Sequence, residues 1–350
     1  MLYTRRQFAK FAVGGIPMAS VILSSGSKVF AATRPDSKIN GVLIGVIAPY
    51  SFHSMPSDAQ SILDDLVQAN LSAVEMQNTT VEMYAGAPLP AARGAGGGRG
   101  PVGGGAPAGA PGGGANGGGA AGARGRAPLT PEQIAAQKAA ARALSDWRVS
   151  ASMDKYDQLR KMYSDAGVWI YGFKIALNLD MPDGEYDYAF NVAKALGCNQ
   201  VTMEMPTDPN LTQRVGQFAT KHKMMVGYHE HTQATPTLWD QAMSQSEYNG
   251  INLDAGHYVQ AGNHDVIQFI QKNHAKITSL HLKDITLPEN GGVNKPWGQG
   301  DTPIKEILQL AKKEKYTFPI AIELEYQIPE GSDAEKEVIR CRQYAADALA

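Results

Sequence analysis

Five runs of the chain end in residues able to hold a metal ion or move a proton. They are Glu204, Tyr228-His229-Glu230-His231, Asp254-Ala255-Gly256-His257, His281-Leu282-Lys283-Asp284 and Glu323-Leu324-Glu325. Each closes a short stretch rich in Val, Ile, Leu, Met or Tyr. Ionisable groups are costly at the end of a buried strand unless they are paired or coordinate a metal. His229, Asp254, His281 and Glu323 follow one another at intervals of 25, 27 and 42 residues. That is about one strand–helix unit per step in a fold that spends ~250 residues on eight units. Groups so spaced come from successive strands and can converge on one point. Two imidazoles and two carboxylates suit a single divalent ion: Mn2+, Zn2+, Co2+ or Fe2+. His231 lies two residues after His229, on the same face if the strand continues, and is expected beside the substrate. Glu325 stands in the same relation to Glu323; Glu323 is taken as the ligand and Glu325 as a substrate contact. Trp297 and Phe52, on loops after the seventh and first strands, are expected to stack on a ring of the substrate.

The elements that must position these groups alternate along the chain. Strands are expected at 42–48, 73–76, 168–175, 200–204, 225–229, 251–254, 277–282 and 319–325, several of them apolar throughout. Such runs suit strands covered on both faces. Amphipathic helices are expected at 57–69, 131–164, 185–196, 209–222, 235–246, 264–273, 303–313 and 333–349, with Thr130 capping the second. Eight strands alternating with eight helices predict a closed (β/α)8 TIM barrel of the α/β class, with active-site loops at the carboxyl ends of the strands. The alternative is an open doubly wound sheet, but no Gly-rich phosphate-binding turn follows the first strand.

The runs Tyr228–His231, Asp254–His257, Leu280–Asp284 and Ile322–Tyr326 together resemble the sugar phosphate isomerase/epimerase family of xylose isomerase-like TIM barrels. Val74-Glu75 and the Trp297–Asp301 loop extend the similarity. The resemblance implies one divalent metal ion on His229, Asp254, His281 and Glu323, with His257 binding substrate. It implies an isomerase or epimerase acting on a carbohydrate through an enediolate, a carboxylate taking the proton next to a carbonyl. The chain departs from the epimerase pattern at His229, where the family places a Glu that is both ligand and acid/base. Glu204 on the neighbouring strand could supply the second carboxylate. The order of expectation for the base is Glu323, Glu204, Glu325, with Lys283 polarising a carbonyl or balancing charge. Cleavage of 3-keto-glycosides by the same chemistry is the alternative reaction. A sugar-binding barrel without turnover is the alternative from another class.

Composition narrows the rest. The chain has 350 residues, 43% of them hydrophobic, and a formal net charge of -2. The apolar fraction excludes a disordered protein. The near-neutral charge argues against a nucleic-acid partner and against a metal-dependent endonuclease with a basic groove. Arg5-Arg6, the apolar run 11–23 and a small-residue end predict a twin-arginine signal over residues 1–32, hence export by the twin-arginine machinery to the periplasm or beyond. No other run is long enough to span a bilayer. An exported enzyme without an Arg cluster for phosphate is expected to act on free sugars, glycosides or oxidised glycosides. The barrel is assigned to 38–350, interrupted at 86–127 by an insertion that is nearly all Gly, Ala, Pro and Arg. Such a stretch cannot bury enough apolar surface to offset its backbone entropy and is expected to be disordered. Cys198 and Cys341 are expected as buried small hydrophobes, a disulfide between them being the alternative.

Overall fold

The computed structural model describes residues 34–89 and 130–350. The export segment 1–32 and all but the first four residues of the insertion 86–127 lie outside the described residues. Eight parallel strands form the sheet: β1 (Val42–Ala48), β2 (Ala73–Gln77), β3 (Trp169–Lys174), β4 (Gln200–Glu204), β5 (Met225–His229), β6 (Asn249–Asp254), β7 (Ile277–Leu282) and β8 (Ile320–Ile322). Each pairs with the next, and β8 pairs with β1, so the sheet closes on itself. This is the expected TIM barrel rather than an open sheet. Closure removes every edge and leaves the strands covered on both sides, which is why β1 reads Val-Leu-Ile-Gly-Val-Ile-Ala.

The helices are α1 (Ala59–Gln68), α2 (Asn78–Ala85), α3 (Pro131–Ser150), α4 (Asp154–Asp165), α5 (Asp183–Leu196), α6 (Pro209–His222), α7 (Asp240–Gln245), α8 (Ala255–Gln260), α9 (Val266–Asn273), α10 (Ile304–Glu314) and α11 (Ala334–Leu349). Ile304, Ile307, Leu308 and Ala311 put one stripe of α10 against the sheet. Side-chain caps start several helices: Asp58 for α1, Asp208 for α6 and Asp333 for α11. Thr130 caps α3 in a full capping box with Gln133. The single helix expected over 131–164 is two, broken at Ala151–Met153, where neither Gly nor Pro marks a stop. The short helices α2 and α8 lie directly after strands and were not anticipated. Cys198 and Cys341 are unpaired and buried, as expected of small hydrophobes. Among the described residues no helix is long and apolar enough to cross a membrane.

Where α1 meets α11 two acids crowd together. Asp65 Oδ2 and Glu335 Oε1 are buried without hydrogen-bond partners. Burial, then the charge of Glu335, pushes the Asp65 carboxyl up to about 7. The unfolded chain releases that proton near pH 4, so the folded state pays nothing below that pH. The penalty grows between there and pH 7 and is complete above it. Asp65 is partly exposed, so solvent screening leaves about 1 kcal/mol. Asp65→Asn should therefore raise stability to urea at pH 8 by about that amount and leave it unchanged at pH 4. Equal effects at both pH values would contradict the account.

Candidate metal and proton-transfer site

The carboxyl ends of β5 to β8 bring four expected ligands together. His229 and Asp254 are the last residues of β5 and β6. His281 lies level with Asp254 across the β6–β7 ladder and with Ala321 across β7–β8. Glu323, two residues beyond Ala321, therefore faces the same side just past the end of β8. β8 closes at Ile322, shorter than expected, so Glu323 and Glu325 lie on extended chain beyond it. One donor atom from each of His229, Asp254, His281 and Glu323 lies within 4.8 Å of the others. All four residues are at most 5% exposed.

Local structure aims these groups. Asp254 is the N-cap of α8: its Oδ1 accepts the His257 backbone N–H at 2.8 Å. The D-x-x-H spacing is thus that of a capped first turn, and it leaves Oδ2 beside the Lys283 ammonium. His229 Nδ1 meets Asn252 Oδ1 at 2.9 Å. Burial, aided by the charges of Lys174 and His281, holds His229 well below its usual pKa and hence neutral. His281 bridges two carboxylates, Nδ1 to Glu323 Oε2 at 2.7 Å and Nε2 to Glu75 Oε2 at 2.8 Å. Burial opposes its charge, but Glu75 and Glu323 prevail and lift it to about 10. The Glu323 carboxyl is itself raised by burial against the pull of Lys283.

Lys283 occupies the centre of the mouth. Its Nζ lies 2.6 Å from His257 Nε2, 2.8 Å from Glu325 Oε2 and 3.0 Å from Asp254 Oδ2. His257 Nδ1 faces Gln260 Oε1 at 3.1 Å, so Nδ1 carries the proton and Nε2 accepts from Lys283. Burial and the neighbouring ammonium lower His257 to about 4, which keeps it neutral. Gly256 is required here: a Cβ would sit 2.8 Å from the Lys283 carbonyl oxygen and overlap its side-chain stem. Glu325 also accepts from the Tyr50 phenol, and burial is overcome by Lys283 to hold its carboxyl at about 2. On the other side Glu204 pairs with Lys174 at 2.9 Å and with His231 at 3.3 Å. The β5 strand stops at His229, yet the His231 ring still lies 5.3 Å from that of His229 and 4.7 Å from that of His257.

Two expected contacts are placed elsewhere. Phe52 is 1% exposed and packs in the core, because the turn after β1 folds it under α11 rather than over the mouth. Trp297 is 8% exposed, its ring edge-on to Tyr344 of α11. Neither ring is an open stacking platform. The loop bearing Trp297 is instead organised by Asp284, which accepts the backbone N–H groups of Gly298, Gln299 and Gly300 on one carboxylate oxygen. Residues not anticipated at the site are Tyr50, Lys174, Asn252 and Asn294, while Glu75 had been noted only as part of a resemblance. The visible signal was a charge inside a strand buried but for its last residue, Ala-Val-Glu-Met-Gln, and a Lys closing β3. Nothing in the sequence distinguished Tyr50.

The four convergent residues fit a divalent cation. Asp254 Oδ2 is fully buried and its partner is the Lys283 ammonium, 3.0 Å away. A carboxylate oxygen of Asp254 and one donor atom from each of His229, His281 and Glu323 lie within reach of a single ion, which would suit a divalent cation. Glu75, Glu204, Asp254, Glu323 and Glu325 also outnumber the cationic groups Lys174, Lys283 and His281. A divalent ion at His281 Nδ1 would take the place of the proton that now bridges to Glu323.

Residues 134–344 match a family model described as "Xylose isomerase-like TIM barrel". Among solved structures, a xylose isomerase domain protein from Alicyclobacillus acidocaldarius is 14% identical, with a TM-score of 0.56 over 87% of this chain and 99% of that one. The IolI protein, solved with a bound zinc atom, is 9% identical, with a TM-score of 0.55 over 88% of this chain and 98% of its own. The 3-keto-D-glucoside 4-epimerase YcjR from E. coli is 8% identical, with a TM-score of 0.51 over 87% and 99%. At these identities the likeness is one of fold. No curated protein matches the sequence.

Proposed function

The chain belongs to the xylose isomerase-like TIM barrel family, and we propose that it is a metal-dependent enzyme that moves a proton on the carbon next to a carbonyl of a carbohydrate, as an isomerase or epimerase. The observation that carries this reading is the convergence of His229, Asp254, His281 and Glu323 within 4.8 Å beside a buried ammonium. The donor set suits Mn2+, Zn2+, Co2+ or Fe2+. When bound, such an ion would supply a Lewis acid that offsets the charge of an enediolate.

The chain's own residues supply the rest. Glu323 is the base: its carboxyl is raised by burial, which brings it toward the working pH and favours proton uptake. Lys283, fixed by Asp254, Glu325 and His257, presents an ammonium to a developing oxyanion without needing to reorganise. Glu204 is the second carboxylate, half-exposed on the far side of His229, its carboxyl held below the usual range by the Lys174 ammonium. His231 and Glu325 line the substrate space with hydrogen-bonding atoms. The reading includes export by a twin-arginine signal and a free sugar or glycoside as substrate.

Cleavage of a 3-keto-glycoside is a second reading, and His229 favours it. Epimerisation needs a proton donor on each face of the carbon, whereas elimination needs one base and an acid for the leaving group. An imidazole in place of a ligating carboxylate leaves Asp254 and Glu323 as the carboxylates among the four, and Asp254 is tied to Lys283 and to the α8 cap. Metal-loaded protein incubated in D2O with ketoses and with 3-keto-glycosides separates the readings. Deuterium gained next to the carbonyl of a recovered isomer supports the isomerase. Release of the aglycone supports cleavage. Neither, across both substrate classes, would contradict proton transfer at this site.

A further inference from the structure

We propose that Glu75 is a positioning residue that presets both histidines of the mouth, with opposite ring tautomers, for a metal ion. The inference rests on the metal reading above. Glu75 belongs to β2, three strands round the barrel from β7, and its side chain reaches across the interior. It is fully buried. Gly172 on β3 makes room for it, since a Cβ there would lie 3.3 Å from Glu75 Cγ. Four donors converge on the carboxylate, one on Oε1 and three on Oε2. Oε1 accepts the Thr202 hydroxyl at 2.6 Å. Oε2 accepts His281 Nε2–H at 2.8 Å, Asn252 Nδ2–H at 3.2 Å and the Tyr171 phenol at 3.3 Å.

Two of those donors lead to the metal position by different routes. At His281 the contact is direct: Nε2 must carry a proton, so Nδ1 is the nitrogen left for the ion. At His229 it runs through Asn252. The Asn252 amide nitrogen is claimed by Glu75 and by Ser279 Oγ at 2.8 Å, and Ser279 in turn faces Gln200 Oε1 at 3.1 Å. That turns the amide oxygen toward His229 Nδ1, which must then donate, leaving Nε2 for the ion. One carboxylate thereby sets Nδ1 as the ligand atom at one imidazole and Nε2 at the other. A carboxylate needed only to satisfy interior hydroxyls would have no reason to touch both ligand-orienting paths.

The test combines Co2+ titration of wild type and Glu75→Gln, followed by the visible absorption of the bound ion, with two-bond 1H–15N spectra of the histidine rings in Zn2+-loaded wild type. The amide still fills the space but loses the charge and one acceptor. We expect a Co2+ affinity roughly 10–100-fold weaker in Glu75→Gln with an altered visible band. The rings should show Nε2–H at His281 and Nδ1–H at His229. Undiminished Co2+ affinity with an unchanged band overturns the inference, as do the reverse tautomers. The ring spectra use the unaltered chain, so they decide the matter even if Glu75→Gln does not fold. Wild type that takes up no Co2+ overturns the metal reading and this inference with it. Wild-type uptake matched by the variant overturns the inference alone.

Discussion

Glu323→Gln is expected to lower turnover about 1,000-fold while the protein stays folded. The amide fills the same space, and its oxygen can still accept the His281 Nδ1–H that Glu323 Oε2 now accepts at 2.7 Å. It can neither take up a proton nor carry a charge for a cation. A positioned base contributes typically 100- to 10,000-fold, and each tenfold is about 1.4 kcal/mol of barrel-mouth stabilisation lost from the transition state. Deuterium exchange next to the carbonyl should disappear in parallel with turnover, because both depend on the same proton abstraction. A loss below tenfold would move the base elsewhere, first to Glu204, which keeps an ionised carboxylate on the other side of the mouth.

Arg148→Ala should cost about 3–5 kcal/mol of folding stability. Arg148 is 7% exposed at the end of α3 and reaches two acids on two other helices. Its Nε and Nη2 meet Glu82 of α2 at 2.7 and 3.1 Å, and its Nη1 meets Glu185 of α5 at 2.9 Å. Glu82 also accepts Asn78 Nδ2–H at 2.7 Å and the Tyr188 phenol at 3.1 Å, so the acid is held in place whether or not the arginine is there. Removing the guanidinium strands two buried carboxylates, which is far worse than never having built the pair. In a chain of 350 residues each kcal/mol moves the midpoint by roughly 1.5 °C, so the melting temperature should fall by roughly 4–8 °C. The cluster ties the helix that follows the Gly-rich insertion back onto the barrel wall. A loss under 1 kcal/mol in urea unfolding would show that α3 is held by something else.

The barrel was legible because its strands are apolar on both faces and stop at polar residues. β1, β4, β5 and β7 fall where expected, and α6 matches residue for residue. The fourfold cluster was legible for a related reason: one ionisable residue at each strand end, one unit apart, can only converge. The interior was not legible. Which residues of a strand face the barrel axis depends on stagger between strands, and the chain order does not carry that. Glu75, Asn252 and Ser279 therefore read as isolated polar residues rather than as one layer. Phe52 and Trp297 were misplaced for a similar reason, since a loop aromatic folds inward when a helix offers it a hydrophobic wall, as α11 does for both. The break at Ala151–Met153 has only a weak local signal, Ser152, whose hydroxyl accepts the Asp154 backbone N–H at 3.2 Å. It lies where the Arg148 cluster fixes α3 and where α4 takes a new direction to bury Tyr156, Leu159 and Tyr163.

His229 marks what is particular to this chain. It is neutral where a ligating glutamate would be charged, and the remaining carboxylates are arranged outward from it, Glu204 on one side and Glu323 and Glu325 on the other. On the metal reading, a cation at this cluster would have two carboxylates in direct reach, Asp254 and Glu323. That arrangement makes Asp254 the residue on which the whole site depends. Asp254→Asn is the cleanest probe of it, since the amide oxygen can still cap α8 through the His257 N–H while the second oxygen is lost as an anionic ligand. The decisive measurement is elemental analysis of wild type and Asp254→Asn after loading with Mn2+, Zn2+, Co2+ and Fe2+ and removal of the excess. The account predicts about one divalent ion per wild-type chain and almost none in the variant. Wild type without a bound ion, or a variant that holds it equally well, would contradict a metal site at the mouth of this barrel.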